Sequence, residues 1–175
     1  MNRRDNLDAL YRQHMKSIYY YLFKMCGNAQ LAEDFVQETF VRATISLNEA
    51  NGENARAWLF QVARNVYLDE WRKQERRKNN PLFQLFLKQK EMISPYGEPE
   101  QALLAAEYEN ILQSALKQLP ENYRTVYILR ELEHFSYEEI GTLLQLSQEN
   151  VKILLHRARK KVNVLLKKEG THHYE

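Results

Sequence analysis

The residues able to do chemistry in this sequence are cations, and they fall in two groups. Between Lys152 and Lys168 there are seven lysines and arginines and no acid. Residues 56–90 hold nine basic and three acidic groups, a net +6. Residues 150–175 come to +5, residues 91–149 to −8 and residues 1–55 to −1. A formal charge of only +2 over 175 residues therefore conceals two basic blocks around an acidic one. Such blocks suit a polyanion, whose phosphates release counterions when neutralised and so give strongly salt-dependent binding.

Other chemistries find no support. The histidines His14, His134, His156, His172 and His173 lack paired carboxylates or cysteines at ligand spacing, and His172-His173 reads as a tail rather than a metal site. Cys26 is the only cysteine, so neither an internal disulfide nor a thiolate zinc site can form, and its place on an apolar stripe marks it as a buried structural thiol. Gly27, Gly52, Gly97, Gly141 and Gly170 never cluster, which excludes Gly-rich phosphate loops. The expectation is a binding protein with no catalytic residue, metal, cofactor or small-molecule substrate. The opening MNRRDNLDAL has no signal-peptide core. Uncharged stretches such as 140–148 fall far short of the roughly 20 residues that cross a bilayer. An intracellular, soluble protein is expected.

The elements that must position these cations are helices. Hydrophobic residues make up 44% of the chain and charged ones 27%, with five glycines and four prolines, a composition that favours helix. Apolar steps of three and four run through Leu7, Leu10, Tyr11, Met15, Ile18, Leu22 and Met25, then stop at Gly27-Asn28. They resume through Leu31, Phe35, Val36, Thr39, Phe40 and Ala43, and again through Trp58, Leu59, Val62, Ala63, Val66 and Trp71. Three of the four prolines lie in 78–99, the expected linker. Beyond it, Leu103 to Leu119 form a helix stopped by Pro120, and a further helix carries Tyr123, Val126, Tyr127, Leu129 and Leu132. The fold class predicted is all-α: two small helical domains, an N-terminal bundle over 1–78 and a helix-turn-helix body over 101–170, on a flexible linker, 79–100.

The second body carries the sharpest local signal, FSYEEIGTLLQLSQENVKILLHRAR over 135–159. Ser136 and Glu139 have capping-box spacing. Gly141 falls where two crossing helices need a small residue, and Ile140, Leu144, Leu146, Val151 and Leu154 supply an apolar lock. Gln145 and Leu146 make the turn, and Ser147 caps the second helix. That helix would present Gln148, Glu149, Asn150, Lys152, Ile153, His156, Arg157 and Lys160 outward, in a form that fits a DNA major groove. A helical hairpin with a solvated basic face is the plainer alternative.

In 55–77, Phe60, Arg64, Tyr67 and Trp71 recur at steps of four, three and four. Aromatics interleaved with cations suit single-stranded nucleic acid, whose bases stack on rings; equally, the rings are core and the cations solvated. Trp58 reads as core.

Taken together, these stretches resemble the sigma factors of bacterial RNA polymerase, in the extracytoplasmic-function (ECF) group. AEDFVQETFVRA resembles region 2.2, AWLFQVARNVYLDEWRK regions 2.3 and 2.4, and LPENYRTVYILRELEHFSYEEI with VKILLHRARKKV regions 4.1 and 4.2. The resemblance implies that Asp34, Gln37, Glu38 and Arg42, one polar stripe opposite the apolar one, dock on the polymerase β′ clamp helices, and that region 4 meets the β flap. It implies that loop 48–54, with Asn51 and Asn54, captures a flipped base. It further implies that Arg64, Asn65, Arg72, Lys73, Arg76 and Arg77 meet the promoter −10 DNA, and that the helix after Ser147 reads the −35 element. An anti-sigma factor, often membrane-bound, and a cytoplasmic role in stress-responsive transcription initiation follow from the same resemblance. The chain departs from the family pattern at Gln145, often Gly, and at Ile153-Leu154, commonly Ser-Arg. The second departure leaves open one phosphate or base contact and any transferred −35 preference. A free-standing helix-turn-helix regulator with a dimerising or sensing N-terminal half is the alternative.

Overall fold

The structure is a computed structural model of the chain and describes residues 3–46, 54–77 and 102–172. Every regular element among these residues is helical. Asn51 and the expected linker lie outside the described residues.

Helix α1 (Arg3–Cys26) ends where Gly27 takes a φ of +69°, a left-handed conformation that glycine adopts without a Cβ clash. Its N–H donates to Phe23 O at 2.7 Å. Asn28 then accepts from Leu31 N–H at 3.0 Å and so caps α2 (Ala29–Ser46). Helix α3 (Ala55–Arg77) completes a three-helix bundle. Ile18, Tyr21, Leu22 and Met25 of α1, Ala32 to Ala43 at helical spacing in α2, and Leu59, Phe60, Ala63, Val66 and Tyr67 of α3 are buried together. The Tyr11 and Phe40 rings lie 4.7 Å apart and those of Phe35 and Tyr67 6.4 Å apart.

The second body begins with α4 (Ala102–Lys117) and α5 (Glu121–Tyr127), whose N-cap is Pro120. A single helix through Leu132 is the sequence expectation; instead α5 widens into a π turn over Ile128–Leu132. The wider turn leaves Leu129 O free to accept Phe135 N–H at 2.9 Å, and Phe135 becomes fully buried. Helices α6 (Tyr137–Leu144) and α7 (Gln148–His172) follow.

Both bodies foreseen in the sequence are present, but their packing against each other is not foreseen there. Phe60 stands edge-on to Phe135, ring centroids 4.9 Å apart, and touches Tyr21 of α1 at 5.3 Å. The C-terminal end of α1 enters the turn between α4 and α5. Arg124 donates to Met25 O at 2.6 Å, and the Gln113 amide donates to Lys24 O at 3.2 Å. These carbonyls have no intrahelical donor of their own, and a cation there also suits the negative end of the helix dipole.

Phe60 thus fills space in both bodies at once. Phe60→Ala is expected to lower unfolding free energy by roughly 3–5 kcal/mol, as for other buried aromatic truncations, read as a drop in the urea midpoint.

Candidate nucleic-acid interface

The helix-turn-helix forms as its local chemistry dictates. Ser136 Oγ accepts Glu139 N–H at 3.1 Å, while the Glu139 carboxylate accepts Ser136 N–H at 2.7 Å, satisfying two orphan amides at the start of α6. A Cβ on Gly141 would lie 2.7 Å from Leu146 O, so only glycine lets the turn close over α6. Gly141 O accepts Leu146 N–H at 2.8 Å. Gln145 sits between them in a left-handed conformation, φ 57° and ψ 44°, at the position where the family often has Gly. Ser147 Oγ accepts Asn150 N–H at 3.2 Å and starts α7.

This cap and turn set the rotation of α7. Val151, Leu155, Ala158 and Val162 are buried, with Leu144, Leu146 and Leu154 packed against them. The opposite face presents Gln148, Glu149, Asn150, Lys152, Ile153, His156, Arg157 and Lys160, all exposed. Lys152 reaches back over the Tyr137 ring at 5.5 Å, and Arg159 pairs with Glu131. What remains is a convex helix face carrying amides at its N-terminal end and cations further on.

The second basic surface is divided. Asn54, Asn65, Arg72, Lys73, Arg76 and Arg77 are exposed, with Arg72 3.7 Å from Asp69 and Lys73 4.0 Å from Glu70. Arg64 is not on that surface. It turns into the seam between the bodies, 3.3 Å from Glu121, with only 22% of its side chain exposed. Phe60 and Tyr67 are buried, so they serve as core rather than as stacking platforms; Trp71, 42% exposed, is the ring of that series open to solvent. Trp58 is half-buried against the core.

On α2, Asp34, Gln37 and Glu38 are exposed. Arg42, partly exposed on the same helix, is bonded to Glu38 at 2.7 Å and to Asp69 of α3 at 2.6 Å. Cys26 is half-buried; burial pushes its thiol up to about 11, against the bond it donates to Asn28 O. No group of three or more His, Cys, Asp or Glu among the described residues could hold a metal ion.

Two family models match: Sigma-70 region 2 over residues 10–77 and Sigma-70 region 4 over residues 109–162. The chain is 32% identical over 162 residues to the ECF RNA polymerase sigma factor SigM of Bacillus subtilis, covering 91% of this chain and 94% of that protein. It is 34% identical over 166 residues to the RNA polymerase sigma factor YlaC of the same organism, covering 91% of each. The chain belongs to the ECF sigma factors of RNA polymerase. Among solved structures, the fold resembles the sigma factor RpoE of Bartonella quintana in complex with the anti-sigma factor NepR, at 23% identity, TM-score 0.72, and 93% and 97% coverage of the two chains. It also resembles CnrH in complex with the cytosolic domain of CnrY, at 23% identity, TM-score 0.69, and 94% and 90% coverage.

As a sigma factor, the protein associates with core RNA polymerase and directs initiation at specific promoters. Region 2 occupies the N-terminal half, which the alternative of a free-standing regulator had assigned to dimerisation or sensing.

Sequence reasoning missed Arg56, Glu121, Arg124 and Glu133, which join the bodies. The signal was the opposite charge of neighbouring blocks, +6 over 56–90 and −8 over 91–149.

Relieving the strain at the turn gives a direct check. A left-handed non-glycine residue costs about 1–2 kcal/mol, while glycine's added chain entropy costs roughly 0.5–1 kcal/mol. Gln145→Gly is therefore expected to stabilise the protein by up to about 1 kcal/mol, measured by urea unfolding.

Proposed function

We propose a residue-level division of labour for this sigma factor. Residues 1–78 form the unit that binds polymerase and the −10 element, 79–100 the linker, and 101–170 the unit that binds the −35 element and the β flap. Asp34, Gln37 and Glu38 meet the β′ clamp helices, with Arg42 holding Glu38 in place from behind. Asn54, Asn65, Arg72, Lys73, Arg76 and Arg77 meet the −10 DNA; Asn51 joins them on the resemblance alone. Gln148, Glu149, Asn150 and Ile153 meet −35 base edges, and Lys152, His156, Arg157 and Lys160 the flanking backbone.

The observation that carries this reading is the outer face of α7. Its eight assigned side chains are all exposed, on a helix whose rotation is fixed by a capped turn. Base-edge contacts would supply sequence choice, and phosphate contacts register and affinity. The protein would do no chemistry itself, since polymerase makes RNA using its positioning, and it would act in the cytoplasm with that enzyme. No helix among the described residues is long and apolar enough to cross a membrane. An anti-sigma factor, as in the similar complexes, is the proposed route by which envelope or environmental stress controls it.

Run-off transcription with core polymerase on a randomised promoter library tests the reading: enriched −10 and −35 sequences are expected, and RNA independent of promoter sequence would refute it. Arg157→Ala with Lys160→Ala should weaken promoter binding about tenfold at moderate salt and lower the slope of log K against log salt by about 2. Gln37→Arg with Glu38→Arg should raise the dissociation constant for core polymerase at least about tenfold, measured by fluorescence anisotropy, while leaving the fold unchanged by circular dichroism.

A further inference from the structure

The outer face of α7 holds one residue whose chemistry differs from the rest. Of the eight side chains assigned there, seven are polar or charged and one, Ile153, is a branched hydrocarbon. Nothing in the fold accounts for it. Ile153 is 48% exposed, whereas Val151 and Leu155 are buried and Leu154 packs against the core. It neither caps nor turns the helix, whose start is set by Ser147. A β-branched side chain is also a poorer helix former than the lysine, glutamine or glutamate that a merely solvated face would carry. Residues three and four apart are neighbours on a helix surface. Ile153 is therefore ringed by Glu149, Asn150, His156 and Arg157, all exposed, and sits in the middle of the face rather than at its rim.

In a major groove that position meets base edges. Adenine, guanine and cytosine offer donors and acceptors there, while thymine adds a 5-methyl group. A hydrocarbon set against a donor or acceptor strips water from it and returns no hydrogen bond, a net cost. Set against the methyl group, the same hydrocarbon gains by removing apolar surface from water. One side chain thus favours thymine and disfavours the other bases, and specificity is such a difference of affinities. Asn150, one turn earlier, has the amide that pairs with adenine N6 and N7, so the two side chains together suit a step containing A·T.

We infer that Ile153 reads the 5-methyl group of a thymine in the −35 element, an inference that rests on the assignment of α7 to that element. The family commonly carries Ser at this position, so the preference is this chain's own.

Deoxyuridine supplies the test, because it keeps every hydrogen-bonding group of thymine and lacks only the methyl. The probe is a promoter selected from the randomised library, bound by holoenzyme of the full chain with core polymerase. Each −35 thymine, on either strand, is replaced singly by deoxyuridine. One replacement is expected to weaken binding about threefold, the order of one buried methyl group. Ile153→Ser should bind the thymine promoter about threefold more weakly than the native protein and lose nothing further with deoxyuridine at that site. Ile153→Val, which keeps the branched methyl groups, should retain the deoxyuridine penalty. Circular dichroism of Ile153→Ser should match that of the native protein, since the side chain is exposed. An unchanged penalty in Ile153→Ser, no penalty at any −35 thymine, or a selected −35 element without thymine would overturn the reading of a methyl group. Those results leave the proposed function standing wherever a −35 sequence is enriched; a library that enriches none sinks the assignment of α7 itself.

Discussion

The edge-to-face contact of Phe60 with Phe135 joins two hydrophobic cores that would otherwise end at separate surfaces. An aromatic pair of this geometry contributes about 0.5–1.5 kcal/mol beyond the area it buries. Around it the chemistry changes sign. Unmatched buried polar atoms, such as Arg64 Nε and Arg124 Nε, cost about 1–3 kcal/mol each. The ion pairs of Lys24 with Glu109, Arg56 with Glu133 and Arg64 with Glu121, each with at least one largely buried side chain, lose much of their attraction to desolvation. The apolar centre therefore holds the bodies together against a polar surround that favours water.

That constraint connects packing to transcription. A sigma factor must present two DNA-reading surfaces at separated sites on one promoter while bound to one enzyme. Linking two weak readers on a chain raises their joint affinity through effective concentration, provided both can engage at once. In the packed arrangement Glu121 holds Arg64 in the seam, while the cations proposed for the −10 DNA and the outer face of α7 are both exposed. Basic residues of the N-terminal body answer acidic residues of the C-terminal body by the same long-range attraction that would draw them to DNA. A small protein with a near-neutral total charge can in this way carry strongly basic readers.

Much of the second body was legible in the sequence because its signals are local. Ser136, Glu139, Gly141, Gln145 and Ser147 each act within a few residues, through a cap, a close approach or a turn, and each does in the structure what its type and spacing imply. The outward face of α7 follows from that turn. The mixed reading of α3 was not resolvable in the same way. Helical spacing places Phe60, Arg64, Tyr67 and Trp71 on one stripe, but only tertiary packing, against α1, α2 and the second body, decides that the first three turn inward and Trp71 outward. Arg42 is a similar case: its spacing fits a docking stripe, and its partner Asp69 lies on another helix. The π turn after Tyr127 escaped because its cause, the seating of Phe135, is tertiary.

Single-molecule energy transfer across the seam would test the packing of the two bodies most directly. Dyes on Tyr20→Cys and Val164→Cys, both exposed positions, in a Cys26→Ser background would report the separation of the bodies. One high-efficiency population is expected for the folded protein, lost in urea only together with the helical signal of both bodies. A low-efficiency population in the folded protein without urea would contradict it.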